Sequence, residues 1–131
     1  MEPQITYYEH KLAFEIDAWD LFEGLNQGEK IIIIDARTPD AYALAHIPGA
    51  INIPHRTMNP ETTAKLQKDF LYVIYCDGIG CNGSTKGALN MARLGFKVKE
   101  LIGGLDWWKR DGYATEGREM TEGRRIACGC N

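Results

Sequence analysis

Two apolar runs constrain this chain more than any other feature: "IIIID" at 31–35 and "LYVIYC" at 71–76. Neither alternates with polar residues, and β-branched and aromatic side chains dominate both. A short continuous run of this kind, bounded by polar punctuation, suits a strand covered on both faces, as in a parallel sheet. Parallel neighbours need long crossovers, and the segments between and around the runs supply them. "DAWDLFEGLNQG" reads as a helix capped by Asp17, with Trp19, Phe22 and Leu25 on one face. "TPDAYALAHI" reads as a short helix opened by Thr38 with Pro39 at its first position. "NPETTAKLQKDF" reads as a helix begun by Asn59 and Pro60. "STKGALNMARLGF" reads as a helix with Ala88, Leu89, Met91 and Ala92 inward, ended by Gly95. "GGLDWWKRDGY" is a turn and a helix ended by Gly112.

The remaining strands are shorter. Tyr7 to Ile16 carries Leu12, Phe14 and Ile16 at period two and reads as a first strand. "PGAINIP" is a turn and a short strand, and "KVKELI" a half-exposed one. Strands alternating with helices give an α/β fold with helices on both faces of a mainly parallel sheet. Ligands of such sheets bind beyond the carboxyl ends of the strands. Cys76 ends the most apolar strand and so lies at that edge.

The chain has 131 residues, the size of one domain, with 44% apolar and 25% charged residues. Residues 1–117 read as that domain and 118–131 as a flexible C-terminal tail ending in "CGC". A net charge of −3 gives no basic surface for a nucleic-acid partner. The apolar runs are far too short to cross a membrane. "MEPQITYYEHKL" lacks the basic start and apolar core of a signal peptide, so a cytoplasmic location is expected, with the four cysteines mostly reduced. Nothing in the composition demands a dimer, and a monomer is expected.

"YCDGIGCNGST" (75–85) carries the chemistry. Cys76 stands at a strand end, Gly78, Gly80 and Gly83 let the backbone curl, and a helix starts at once. Backbone amides and a helix N-terminus stabilise a thiolate and lower the thiol pKa, the condition for nucleophilic sulfur. The plainer alternative for Cys76 is a buried packing cysteine. Cys81 shares the loop. It is either a small packing residue in a tight turn or a partner able to close a disulfide with Cys76. The spacing of Cys76, Cys81, Cys128 and Cys130 is not that of paired zinc knuckles, and neither a metal nor a cofactor is expected. His46 reads as a structural histidine, and His55 and Arg56 as able to line an anion pocket. Asp35 and Arg37 read as an ion pair tying loops together, and Trp107 and Trp108 as divided between core and pocket wall.

"IIIIDAR", "HIPGAINIP", the strand ending in cysteine before a tight loop and helix, and "ELIGGLDWW" together resemble a single-domain rhodanese, a sulfurtransferase, from about Tyr7 to Gly117. The resemblance implies a central, mainly parallel five-stranded sheet with flanking helices. It implies a persulfide carried on the cysteine that starts the active-site loop, which by position is Cys76. Aligning Cys81 with that nucleophile would end the strand too early. The substrate-binding set then comprises the loop, Asp77, Gly78, Ile79, Gly80, Cys81, Asn82, Gly83 and Ser84, together with Arg37.

Two departures stand out. The loop is longer than the family's common form and holds a second cysteine. It also carries no arginine or lysine, which weighs against thiosulfate as the natural donor. Some proteins of this fold are phosphatases or arsenate reductases, but phosphoryl chemistry needs a loop arginine, and none occurs from Cys76 to Asn90. The expected function is transfer of sulfane sulfur from thiosulfate or a persulfide to cyanide, a small thiol or a protein cysteine. The alternative is a redox module that switches Cys76 and Cys81 between dithiol and disulfide.

Overall fold

The two apolar runs become adjacent parallel strands, β2 (Ile31–Asp35) and β4 (Leu71–Tyr75), paired along their full length from Ile31 with Leu71 to Asp35 with Tyr75. A computed structural model describes residues 1–127 of the chain. Three further strands, β1 (Glu15–Ile16), β3 (Ile51–Asn52) and β5 (Lys97–Leu101), complete a five-stranded sheet in the order β1-β5-β4-β2-β3. Every neighbouring pair is parallel, so all strand carboxyl ends share one edge.

Period-two geometry sends alternate residues of the buried strands to opposite layers. Ile33, Val73 and Tyr75 pack with Leu21 and Phe22 of α2 (Ala18–Asn26) and with Leu105 and Trp108 of α5 (Gly104–Arg110). Ile34, Tyr72 and Ile74 face the other way, onto Met91 of α4 (Gly83–Arg93) and Phe96. The helix α3 (Pro39–Leu44) is capped as expected, the Ala41 amide donating to Thr38 Oγ1 at 3.3 Å. The Asp20 amide donates to Asp17 Oδ1 at 2.8 Å, so Asp17 opens α2.

Five expectations change. Residues Glu2–Phe14 form a helix, α1, and only Glu15–Ile16 extend as strand. The period-two spacing of Leu12, Phe14 and Ile16 competes with Ile5, Tyr8 and Leu12 at i, i+3 and i+7, and Pro3 in the first turn favours the helix. No residue of α1 is buried, so packing does not select its conformation. The "NPETTAKLQKDF" segment is a run of turns. The Thr63 amide reaches Asn59 O at 3.2 Å, but the next amides close three-residue turns, Ala64 onto Glu61 O at 3.4 Å and Leu66 onto Thr63 O at 3.0 Å, while the Thr62 and Thr63 hydroxyls donate to Thr57 O and Asn59 O.

The inward face of α4 is Gly83, Ser84, Gly87 and Met91, leaving Leu89 49% exposed and Ala92 exposed. A Cβ on Gly87 would meet Ile74 Cγ2 at 3.0 Å, so small residues bring this helix close to the sheet. On α2, Phe22 is buried but Trp19 is exposed.

Residues 118–127, read as a free tail, hydrogen-bond to the body. The Arg118 and Glu119 amides donate to Ala43 O and Leu44 O, the Ala114 amide donates to Arg124 O at 3.0 Å, and Ile126 packs on the core. Cys128 and Cys130 lie outside the described residues. Among the described residues no helix is long and apolar enough to cross a membrane.

Candidate active site

Three elements meet at the carboxyl end of β4. The strand delivers Cys76, whose side chain is buried. The helix α4 begins seven residues on at Gly83, with Asn82 at its N-cap and no side chain satisfying the first amides. The helix α5 fastens the loop from the other side: the Leu105 amide donates to Cys76 O at 3.0 Å and the Asp106 amide to Asp77 O at 2.8 Å. This contact explains the double glycine of "IGGLDWW". Gly103 and Gly104 hold φ of 79° and 55°, and a Cβ on Gly104 would lie 2.3 Å from Cys76 O. No other residue type lets α5 start so close to the strand.

Within the loop, the Cys81 amide donates to Gly78 O at 3.2 Å, closing a turn in which Gly80 takes φ of 94°. The turn folds Cys81 back onto Cys76, and their sulfurs form a disulfide. Gly83 faces both: a Cβ there would sit 3.0 Å from Cys76 Sγ, 3.5 Å from Cys81 Sγ and 3.5 Å from His55 Cδ2. The site therefore lies beside the first turn of α4, where free amides and the positive dipole end favour a sulfur anion. The two sulfurs and the Asp77 carboxylate lie within 4.8 Å of one another, but sulfurs joined to each other are not thiolate ligands.

A cleft of about 410 Å³ opens on this loop. Cys76, Gly78, Ile79, Gly80, Cys81, Asn82 and Ser84 line it, whereas Asp77 and Gly83 of the same loop do not. Arg37 is not brought to it. Its guanidinium donates to Asp35 at 2.7 and 3.0 Å, to Asp77 at 3.1 Å and to Ala45 O. Burial opposes its charge, but the hydrogen bond and charge of Asp35 outweigh it and raise the Arg37 pKa. Tyr75 joins the same buried network, donating to Asp35 Oδ2 at 2.6 Å and accepting from the Ile47 amide at 3.0 Å. Burial, then the Asp35 charge, pushes the phenol well above its ordinary value. Arg37 thus ties the loop, through Asp77, to the ends of β2 and β4. His46 stacks on Tyr42 at 3.8 Å, its Nδ1 2.8 Å from Tyr42 O, a structural placement. Trp108 is core and Trp107 is exposed outside the cleft.

The sequence reading missed the opposite wall. Glu100 accepts from Ser84 Oγ and Thr85 Oγ1, each at 2.7 Å, and lines the cleft with Lys11 and Glu15. A carboxylate thus faces the start of α4. Lys11, the cation of this wall, is paired with Glu15 at 2.7 Å. The available signal was an acid at the carboxyl end of a parallel strand, one residue before the end of β5. His55, from a single 3-10 turn at His55–Thr57, has its pKa lowered by burial and then by the charges of Arg56 and Lys86, which favours the neutral imidazole. A larger cleft of about 660 Å³ adjoins the first between α1 and α2, but it contains no cysteine.

A parallel α/β sheet that presents a cysteine in a glycine loop between two helix N-termini defines a class, and comparison with known proteins names it. The rhodanese-like domain family model matches residues 18–111, and the chain belongs to that family. A sulfurtransferase from Allochromatium vinosum is 33% identical over 98 residues, covering 75% of this chain and 90% of the relative. The chloroplastic thiosulfate sulfurtransferase 16 of Arabidopsis thaliana is 31% identical over 94 residues, covering 63% and 78%. Among solved structures, the BH2092 protein of Bacillus halodurans superposes with a TM-score of 0.87 at 38% identity, covering 98% of this chain and 94% of that one.

Proposed function

We propose that this domain is a sulfurtransferase that works through a persulfide on Cys76. The observation that carries the reading is the placement of the Cys76 sulfur at the end of β4, against the uncapped first turn of α4 and open to the cleft. With the disulfide reduced, the Cys76 thiolate attacks the outer sulfur of a donor. The donor's S–S bond breaks and its remainder leaves as sulfite or a thiol. A thiophilic acceptor, which is cyanide, a small thiol or a protein cysteine, then takes the sulfur in a second half-reaction. The sulfurtransferase names of the relatives support this chemistry. The cleft's charge supports a neutral persulfide over thiosulfate: Glu100 faces the helix start and the loop has no cation of its own. The proposed working form is a cytoplasmic monomer.

Intact-mass spectrometry of the reduced protein after exposure to a persulfide or to thiosulfate tests the reading. Wild type takes up one sulfur, read as added mass or as sulfide released after the donor is removed, and Cys76→Ala takes up none. A wild type that neither gains sulfur nor releases sulfide sinks the proposal. A gain that survives in Cys76→Ala and vanishes in Cys81→Ala moves the nucleophile to Cys81. A binding module that only cycles between dithiol and disulfide takes up no sulfur in this test.

A further inference from the structure

Sulfur transfer through Cys76 leaves Cys81 without a task, yet the loop is built around bringing it in. The Gly78–Cys81 turn, with Gly80 in the left-handed region, returns the chain over the strand end. Gly83 leaves free the space against which both sulfurs sit. The bond joins Cys81 Sγ to Cys76 Sγ itself, which in a persulfide is the inner sulfur. A residue that only packed a tight turn would need neither this reach nor a thiol.

We propose that Cys81 is a built-in resolving nucleophile that discharges the Cys76 persulfide as sulfide. This rests on the sulfurtransferase reading and deepens it, naming the immediate acceptor and the product. The Cys81 thiol gives its proton to solvent, and its thiolate attacks Cys76 Sγ. The bond between Cys76 Sγ and the outer sulfur breaks, and the Sγ–Sγ disulfide forms. The outer sulfur leaves with the electron pair as hydrosulfide, which takes up a proton to give hydrogen sulfide. The sulfane sulfur is reduced, and the two cysteines are oxidised by the same two electrons. Hydrosulfide is a better leaving group than an alkyl thiolate, which directs cleavage this way. Attack within one short loop also has the high effective concentration of an intramolecular step. A dithiol reductant resets the site by thiol–disulfide exchange, leaving as its own disulfide. Over a full cycle a persulfide and a dithiol become a thiol, a disulfide and hydrogen sulfide.

The test is a single-turnover experiment on the reduced 131-residue chain with Cys128 and Cys130 replaced by serine. The protein is charged with a small neutral persulfide, the donor is removed, and free sulfide and intact mass are followed with no thiol added. The parent loop releases close to one equivalent of sulfide and ends two hydrogens lighter than its reduced form. Cys81→Ser and Cys81→Ala keep the added sulfur on Cys76 and release sulfide at least about tenfold more slowly. The inference is overturned if both variants release sulfide as fast as the parent. It is equally overturned if the parent holds its added sulfur as long as they do, or if that sulfur maps to Cys81. If neither parent nor variants take up sulfur, the sulfurtransferase reading falls and this one with it.

Discussion

Glu100 accepts hydrogen bonds from the Ser84 and Thr85 hydroxyls in the first turn of α4, so its carboxylate is held where an anionic donor would approach. Like charges in a half-buried cleft repel by an amount that neutralisation recovers. Glu100→Gln is expected to raise kcat/KM for thiosulfate by about tenfold and to change that for a neutral persulfide by less than about twofold. Steady-state kinetics with both donors decides it, and equal effects on the two would remove Glu100 from donor choice. Tyr75 makes a second residue-scale case. Its hydroxyl serves both Asp35 and the Ile47 amide in the core, so Tyr75→Phe should cost about 1–3 kcal/mol in denaturant unfolding.

His55 gives a pH dependence. Its folded pKa lies below the ordinary value, so near that value the folded state binds fewer protons than the unfolded chain. The contribution is fully present above the unfolded pKa and is lost as pH falls through the folded one. Between about pH 7.5 and about pH 5.5 wild type should lose more stability than His55→Asn, read from unfolding midpoints at each pH. Sequence logic reached Cys76 at this scale because a strand end, three glycines and a helix start are local signals. It did not reach Glu100, whose partners lie 15 and 16 residues away and meet it only across the β5–α4 packing.

Elements read with unequal success, for physical reasons. The β2 and β4 strands were legible because burial on both faces leaves an unbroken apolar run. The helices α2 and α3 announced themselves through Asp17 and Thr38. The helix α1 has no buried face and so prints no burial pattern for the eye to find. The face of α4 was misassigned because glycine at 83 and 87 buries backbone, which hydrophobicity does not register. The α5 start shows how strict an element boundary can be. Gly104→Ala places a Cβ against the carbonyl of Cys76 at a positive φ, and α5 must shift away from the loop. Thermal unfolding should report a loss of at least about 2 kcal/mol, with slower sulfur loading of Cys76 in the surviving folded fraction. A variant as stable as wild type would mean that α5 can seat elsewhere.

At the scale of the molecule, the core is two layers on one sheet, and α1 belongs to neither. Ile5, Tyr8 and Leu12 are 53%, 54% and 78% exposed, and the Lys11–Glu15 pair is exposed as well. Removal of residues 1–12 should therefore change unfolding free energy by less than about 1 kcal/mol in a urea titration. Ending the chain at 117 should be more harmful, because it strips the partners of Ala43, Leu44 and Ala114 and uncovers the core at Ile126. The sequence hid this return of the chain, since backbone pairing by a polar segment leaves no apolar periodicity.

The sheet's borders have a consequence for how copies of this domain coexist in a crowded solution. Its two outermost strands, β1 and β3, are two residues each. An incoming strand from a neighbour finds too short a rail to dock on, while the long strands that could template polymerisation are shut in the middle. A chain with nearly continuous β-branched runs, which as isolated peptides would be prone to stack into fibres, keeps them from one another by placing its shortest strands outermost.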